Sequence, residues 1–344
     1  MEDRRTFLKR SIPRLLVLAS VFSLRPVREG SGGTLGIDLV EPRYVALLKD
    51  LVDHYQFSEK DLRSLFGKVV LHPEIIDRFE RPAEALPYFE YRRRFVQNNL
   101  IEMSRDYLRK NIDVFQSVEK SFGVEKEIIC SILGIESKFG QAGIQSFRVF
   151  DVLNTAFSTY PRRESFYRAE LVEFLLLCRE ERMDPLSVNG SYAGAFGVPQ
   201  FMPSSFRRYA VDFDRDGKKD LIHSTADIVA SVANYLRAFH WRHEGLLWRR
   251  AVLDRDNPEV KQLVGSGLRT STPVSRLLGI GVRIDPLPEQ TEEVSLLIFE
   301  LKQGEESLLA VFENFRAITH YNRSVNYALA VAELAGLLPG GTVQ

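Results

Sequence analysis

One stretch constrains the fold more than any other: Cys130-Ser-Ile-Leu-Gly-Ile-Glu136-Ser-Lys-Phe-Gly140. Its pattern predicts a buried helix over 125–139 that stops at Gly140, a suitable C-cap. Ile129, Ile132 and Leu133 lie seven, four and three residues before Glu136, so the carboxyl falls on the apolar stripe and not on the wet face. A chain with this pattern is expected to bury the helix, with an acid on its apolar stripe. Burial strips solvation from a carboxylate and favours the acid form. A protonated carboxyl in an apolar cleft is what general-acid cleavage of a glycosidic bond requires. The other reading is a structural Glu that reaches to water or pairs with an Arg.

Composition narrows the classes. The 344 residues suffice for one long domain or two to three compact lobes. Lys plus Arg equals Asp plus Glu at 46 each, so bulk charge points to no nucleic-acid partner. Cys130 and Cys178 are too few for a disulfide framework or a zinc site, and both fall in apolar helical stretches. Buried thiols are the expectation, with a single bridge as the alternative in an oxidising compartment.

Residues 1–30 read as an export signal and linker. Arg4-Arg5-Thr6-Phe7-Leu8-Lys9 resembles a twin-arginine signature, and the apolar run from Leu15 to Leu24 fits a signal core better than a bilayer span. Arg25 to Gly33 is a polar, Gly-rich linker. No Cys lies near the run, so a lipid anchor on a processed N-terminal Cys is not expected. The expected location is the periplasm, with retention of the segment as an anchor left open and a disordered basic tail as the alternative.

Beyond residue 40 the pattern is mostly helical. Helices are expected at 45–55, 59–66, 73–81, 168–182, 203–209, 225–239 and 324–334, with one long helix over 99–122 ending at Gly123. Residues 88–96, aromatic and basic, are expected as a strand or an irregular segment. Residues 190–197 read as loop, and 250–300 as mixed with a strand at 294–299. The fold class is therefore mainly α (α+β).

Two further constellations carry chemistry. In Gly190-Ser-Tyr-Ala-Gly-Ala-Phe-Gly-Val-Pro-Gln200-Phe-Met-Pro-Ser-Ser205, three glycines within eight residues let the backbone pass close to a neighbour. Gln200 beside Phe201 and Met202 suits a sugar subsite, with amide groups for hydroxyls or N-acetyl groups and apolar faces for rings. Ser191 offers a hydroxyl to a sugar or a water. In Asp212-Phe-Asp214-Arg-Asp216-Gly217-Lys218-Lys-Asp220, oxygens at positions one, three, five and nine with Gly at six follow the EF-hand calcium pattern, and Lys218 at seven would give its carbonyl. Position twelve is His223 and not the bidentate Glu, a departure from a sensor loop. A solvated acidic turn is the bland alternative.

Four motifs in order, Glu136-Ser-Lys-Phe-Gly, Tyr160-Pro-Arg-Arg163, the Gly190–Ser205 stretch and His320-Tyr-Asn-Arg-Ser324, together resemble the membrane-bound lytic murein transglycosylase B family, glycoside hydrolase family 103 of the lysozyme-like superfamily. The resemblance runs from about Leu86 to Leu337, with a weaker N-terminal lobe before it. It implies a catalytic domain over 31–344 with a lysozyme-like core, an N-terminal helical lobe and a small mixed C-terminal lobe, the cleft running between lobes with Glu136 near its middle. The implied reaction is cleavage of the β-1,4 bond between N-acetylmuramic acid and N-acetylglucosamine of peptidoglycan, leaving a 1,6-anhydromuramic end. Glu136 matches the family's single catalytic acid/base. Ser191 and Gln200 match residues near it, and Tyr235 and Tyr321 match aromatic cleft residues, with Asn322 beside the latter. For Tyr235, core packing is an equal reading, since it shares the apolar face of its helix. Arg162 and Arg163 face either the substrate's carboxylates or surface ion pairs. The family's calcium loop uses a later Asp, for which Asp227 is the candidate, although Ser224-x-x-Asp227 is also a capping pair. The expected ion is structural Ca2+, with no organic cofactor. The expected partners are peptidoglycan glycan strands and wall-synthesis enzymes, and the expected state is a monomer. A hydrolytic muramidase and a non-catalytic glycan-binding protein are the alternatives.

Overall fold

The computed structural model of the chain describes residues 36–79, 86–141, 146–253 and 257–341. The expected export segment lies outside the described residues. Among the described residues no helix is long and apolar enough to cross a membrane.

The chain begins with α1 (Pro42–Asp53), α2 (Glu59–Phe66) and the short α3 (Ile76–Phe79). Next come α4 (Tyr88–Phe95), α5 (Asn98–Lys110), α6 (Ile112–Phe122) and α7 (Lys126–Ser137). A two-residue strand β1 (Phe147–Arg148) leads into α8 (Val149–Thr159) and α9 (Glu164–Glu180), and β2 (Asn189–Gly190) precedes α10 (Pro203–Tyr209) and α11 (Thr225–Ala238). The remainder runs β3 (Trp248–Leu253), α12 (Pro258–Ser266), β4 (Thr272–Pro273), α13 (Val274–Gly279), β5 (Val282–Asp285), β6 (Glu293–Lys302), β7 (Glu305–Val311), α14 (Glu313–Tyr321) and α15 (Val325–Gly336). Contacts sort these into two compact units, each drawn from separate stretches: a helical unit from 36–79 and 136–232, and a sheet unit from 86–135 and 233–341.

The helical unit is organised by α8. Every residue from Val149 to Phe157 is buried, so this helix has no wet face, and it packs along α9. The sequence analysis places no helix there; the enclosure of Asp151, Asn154 and Thr155 along with the apolar residues comes from tertiary contacts that local pattern does not carry. The N-terminal helices dock on it through aromatic edges. Tyr44 of α1 meets Phe157 at 5.2 Å in a T-shaped contact and donates its hydroxyl to Asn154 Oδ1 at 3.2 Å. Asp151, buried within α8, accepts from the Val70 N–H at 3.1 Å and from Arg148 Nε at 2.6 Å. His72 lies against Asp151 and Glu74, and the Asp151 carboxylate holds its imidazole above the ordinary range.

The sheet unit carries a five-stranded antiparallel sheet in the order β4-β6-β7-β3-β5. Val260 of α12, Val274 and Leu277 of α13, and Val282, Ile284, Val294 and Leu296 of the strands share one core. Two expectations are corrected in this unit. Residues 88–95 form helix α4, because Tyr88, Tyr91 and Phe95 fall three and four apart and Tyr88 and Arg92 both reach Glu333 on α15. The expected long helix over 99–122 is two helices. Asn111 takes φ −119° and donates its side-chain amide to the Tyr107 carbonyl at 2.8 Å, in competition with the backbone ladder. Cys130 and Cys178 are free, buried thiols, and burial pushes Cys178 up to about 12.

Glu170 of α9 shows how the helical unit handles a buried acid. Ser204 N–H and Oγ–H donate to its carboxylate at 2.9 and 2.6 Å, so Glu170 caps the start of α10 from a neighbouring helix. Burial outweighs these bonds and raises its pKa above the ordinary 4.5. The native state then binds the proton more tightly than the unfolded chain, so this group's contribution to stability grows as pH falls through that window. The melting midpoint of the wild type should therefore gain on that of Glu170→Gln as pH is lowered from neutrality toward 4.5. A gap that narrows on acidification would show that burial does not control this carboxyl.

Candidate active site

Glu136 is the penultimate residue of α7. All residues from Glu127 to Ser137 are buried, and Glu136 itself is 5% exposed. A helix enclosed on all sides fixes the carboxyl's position. The chain then reverses through three left-handed residues, Lys138 (φ 47°), Phe139 (φ 61°) and Gly140 (φ 81°), two of which are not glycine. Ser137 closes the turn, its Oγ accepting from the Gly140 N–H at 3.0 Å. A Cβ on Gly140 would lie 3.1 Å from Val198 Cγ2, so the end of this segment rests directly on the Gly-rich loop.

That loop is tightly folded. The Ser191 N–H donates to the Ala195 carbonyl at 2.7 Å, and Ser191 Oγ accepts from the Ala193 and Ala195 amides at 3.3 and 3.2 Å. Phe196 and Phe201 exchange both backbone bonds. Gly190 has no room for a side chain, since a Cβ would sit 2.4 Å from the Ala195 carbonyl oxygen. Gln200 takes φ 53°, a strained value for its residue type, and donates Nε2 to the Gly197 carbonyl at 2.8 Å. Its Oε1 is buried with no donor partner among the described residues. A buried acceptor left unmatched is costly, and a ligand N–H or O–H would satisfy it. Phe201 is 2% exposed, so its ring packs into the unit.

Four more carboxylates are buried among the described residues, and each has a partner. Asp151 is bonded to Arg148, Glu170 to Ser204, and Glu127 is 3.1 Å from the Lys126 ammonium. Asp227 accepts from the Phe213 and Asp220 amides at 2.7 and 2.9 Å. Of the two expected arginines, Arg162 is exposed, while Arg163 lies 4.0 Å from the Phe166 ring centroid. Arg78 of α3 was not anticipated. It lies 5.7 Å from the ring centroid of Phe147 and 5.6 Å from that of Tyr192, the residues that flank Gly190–Ser191 through the Phe147–Gly190 pairing. No sequence period connects these segments, so only folding could reveal that contact.

In the sheet unit, Tyr235 and Tyr321 do meet, with ring centroids 4.9 Å apart. Tyr235 is 8% exposed and donates its hydroxyl to the His320 carbonyl at 2.7 Å, the arrangement of a packed ring with one polar partner. His320 stacks on Phe239 at 4.2 Å, and burial holds its imidazole below the ordinary range. Tyr321 is half-buried at the end of α14. Asn322 accepts from the Ser324 N–H at 3.1 Å, in the turn that starts α15.

The acidic loop converges on three of its expected residues. Asp212, Asp214 and Asp227 each offer an oxygen within 4.8 Å of the others. Asp216 turns its Oδ1 to the Lys218 N–H, and Asp220 accepts from the Ile222 and His223 amides, all at 2.8 Å. Gly217 at φ 91° permits the sharp turn. Asp227 is fully buried, and burial raises its pKa. Three carboxylates, one of them buried, fit a hard divalent cation of the calcium type.

A family model for the transglycosylase SLT domain matches residues 41–336. The curated "Membrane-bound lytic murein transglycosylase B" of Escherichia coli (strain K12) is 33% identical over 257 residues, 75% of this chain and 69% of that protein. Among solved structures, the soluble lytic transglycosylase SltB1 from Pseudomonas aeruginosa, in its catenated form, aligns with TM-score 0.81 at 37% identity over 87% of this chain and 97% of that one. The Escherichia coli lytic transglycosylase Slt35 in complex with calcium aligns with TM-score 0.78 at 28% identity, over 88% and 95% of the two chains. The chain belongs to the transglycosylase SLT domain family.

The acidic loop yields a direct test. At about a hundredfold excess over its Kd, a cation that binds only the folded state stabilises by about 2.7 kcal/mol, a rise in melting midpoint on the order of 4 °C for a chain of this length. Calcium should raise the midpoint by that amount over chelator-treated protein, and Asp214→Asn should remove most of the rise. An unchanged midpoint would eliminate the cation.

Proposed function

We propose that Glu136 is the single acid and base of a lytic murein transglycosylase reaction on peptidoglycan. The observation that carries this assignment is the placement of Glu136: it is 5% exposed at the end of an enclosed helix, and the segment that follows it rests on the Gly-rich loop through Gly140 and Val198. The transglycosylase family and the murein enzyme that the chain resembles support the same substrate.

In the first step the Glu136 carboxyl gives its proton to the oxygen of the β-1,4 bond, and the C1–O bond of N-acetylmuramic acid breaks. In the second the carboxylate takes the proton of the muramic C6 hydroxyl as O6 closes on C1. The result is a 1,6-anhydro ring and a proton returned to Glu136, with no water consumed. A hydrolase needs a second carboxylate to activate water or act as nucleophile. Here the nucleophile is held in the same sugar ring, and that proximity replaces the second group. No Asp or Glu occurs from Gly190 to Ser205.

The remaining roles follow from chemistry. Gln200 presents an unmatched buried Oε1 to a sugar N–H or O–H. Ser191 holds the loop turn, Tyr235 and Tyr321 supply ring surfaces, and Arg162 is available to the carboxylates of the stem peptide. Asp212, Asp214 and Asp227 would hold a calcium ion, whose contribution is charge neutralisation within the fold and not chemistry at the scissile bond. Periplasmic export fits a wall substrate and the basic, apolar N-terminus.

Purified protein lacking residues 1–30, incubated with intact peptidoglycan, should release anhydromuropeptides detectable by mass spectrometry. Glu136→Gln should lower that release by roughly 10²- to 10⁴-fold, the range for a general acid–base group, while still pulling down with the wall. Reducing-end products would assign a hydrolytic muramidase, and binding without soluble products a glycan-binding protein.

A further inference from the structure

The acidic loop and the Gly-rich loop share a backbone seam at Leu221. The Val198 N–H donates to the Leu221 carbonyl at 2.8 Å. A Cβ on Gly197 would lie 2.8 Å from that same oxygen, so the two segments touch with no room between them. Leu221 is 1% exposed. On its acidic side the peptide is bracketed: the Asp220 N–H donates to Asp227 Oδ2, and Asp220 Oδ1 accepts from the Ile222 and His223 amides. On its other side Gly197 gives its carbonyl to both the backbone N–H and Nε2 of Gln200, at 3.2 and 2.8 Å. Val198 also supplies the methyl against which Gly140 rests, four residues after Glu136.

We propose that Leu221 is a positioning residue: its carbonyl transmits the state of the Asp212/Asp214/Asp227 cluster to Val198 and Gln200, so a cation in the acidic loop tightens the strained Gln200 turn. The physical basis is short. Gln200 holds a left-handed conformation that its own residue type disfavours, so neighbouring structure must over-determine it. One neighbour is Gly197, and Gly197 is pinned by Leu221. Drawing the three carboxylates onto a cation fixes Asp227, then Asp220, then the Leu221 peptide, each through one hydrogen bond. The coupling requires that both loops bias one shared element, and the seam is that element. The kinetic arm of the test rests on the transglycosylase reading, whereas the exchange arm does not.

Amide hydrogen exchange on the full chain, with calcium chloride against chelator, separates the outcomes. Calcium should slow exchange at Asp216 and Gly217, and also at Val198, by about tenfold or more, while Ala310 in the sheet unit stays unchanged. In Gly197→Ala, calcium should still protect Gly217 but no longer Val198, and KM for a soluble alternating GlcNAc–MurNAc oligosaccharide should rise several-fold more than kcat falls. Protection of Gly217 without Val198 in the wild type would overturn the coupling while leaving the cation reading intact. No response at Gly217 would overturn the cation reading and the proposal with it. If Gly197→Ala fails to fold, Asp227→Asn serves, and its Val198 exchange should be fast and indifferent to calcium.

Discussion

Helix α7 has no wet face between Glu127 and Ser137, and it ends in three consecutive left-handed residues. Everything attributed to Glu136 depends on that enclosure. A carboxyl on a solvated helix would keep its hydration and wander through several rotamers. Here packing of the helix fixes where the acid stands, and the reversal at Lys138–Gly140 presses the following backbone onto Val198. Two strained non-glycine residues persist there because the surroundings over-determine them.

The Gly-rich loop is the counterpart of that helix. Its glycines are required by contact, not by flexibility: Gly190 meets the Ala195 carbonyl and Gly197 the Leu221 carbonyl at distances that no Cβ could share. The loop's interior is held by its own backbone, through the Ser191–Ala195 and Phe196–Phe201 bonds. Such a loop can present Gln200 in an unfavourable conformation with an acceptor left unmatched. Rigid support of this kind is what a binding group needs to recognise a sugar without reorganising first.

Buried charge is treated differently across the helical unit. Asp151 ties residue 70 to α8 through an amide and an arginine, and Glu170 caps a helix start. Asp227 joins the two ends of the acidic loop. Each of these acids sits where backbone N–H groups need acceptors, so burial is offset by bonds that the fold would otherwise lack. Glu136 is likewise buried, at the end of the helix whose following turn rests on the Gly-rich loop.

Local pattern alone was enough for part of this. The periodicity of 126–137 and the Pro at the start of α10 predicted their helices, because both signals are short-range. The Asp spacing of 212–220 announced an oxygen-rich loop, and Glu136 stood out as an acid on an apolar stripe. Tertiary structure decided the rest. Helix α4 is held by Tyr88 and Arg92, which find Glu333 at 245 and 241 residues' distance along the sequence. Asn111 divides one periodic run into two helices through a single side-chain bond. Which acids of the loop converge, and the seam at Leu221, depend on a carboxylate outside the repeat and on a carbonyl that carries no side-chain signature. Residue identity specifies side-chain chemistry and local period, whereas a backbone carbonyl is the same in every residue, so only the folded chain determines which amide it meets.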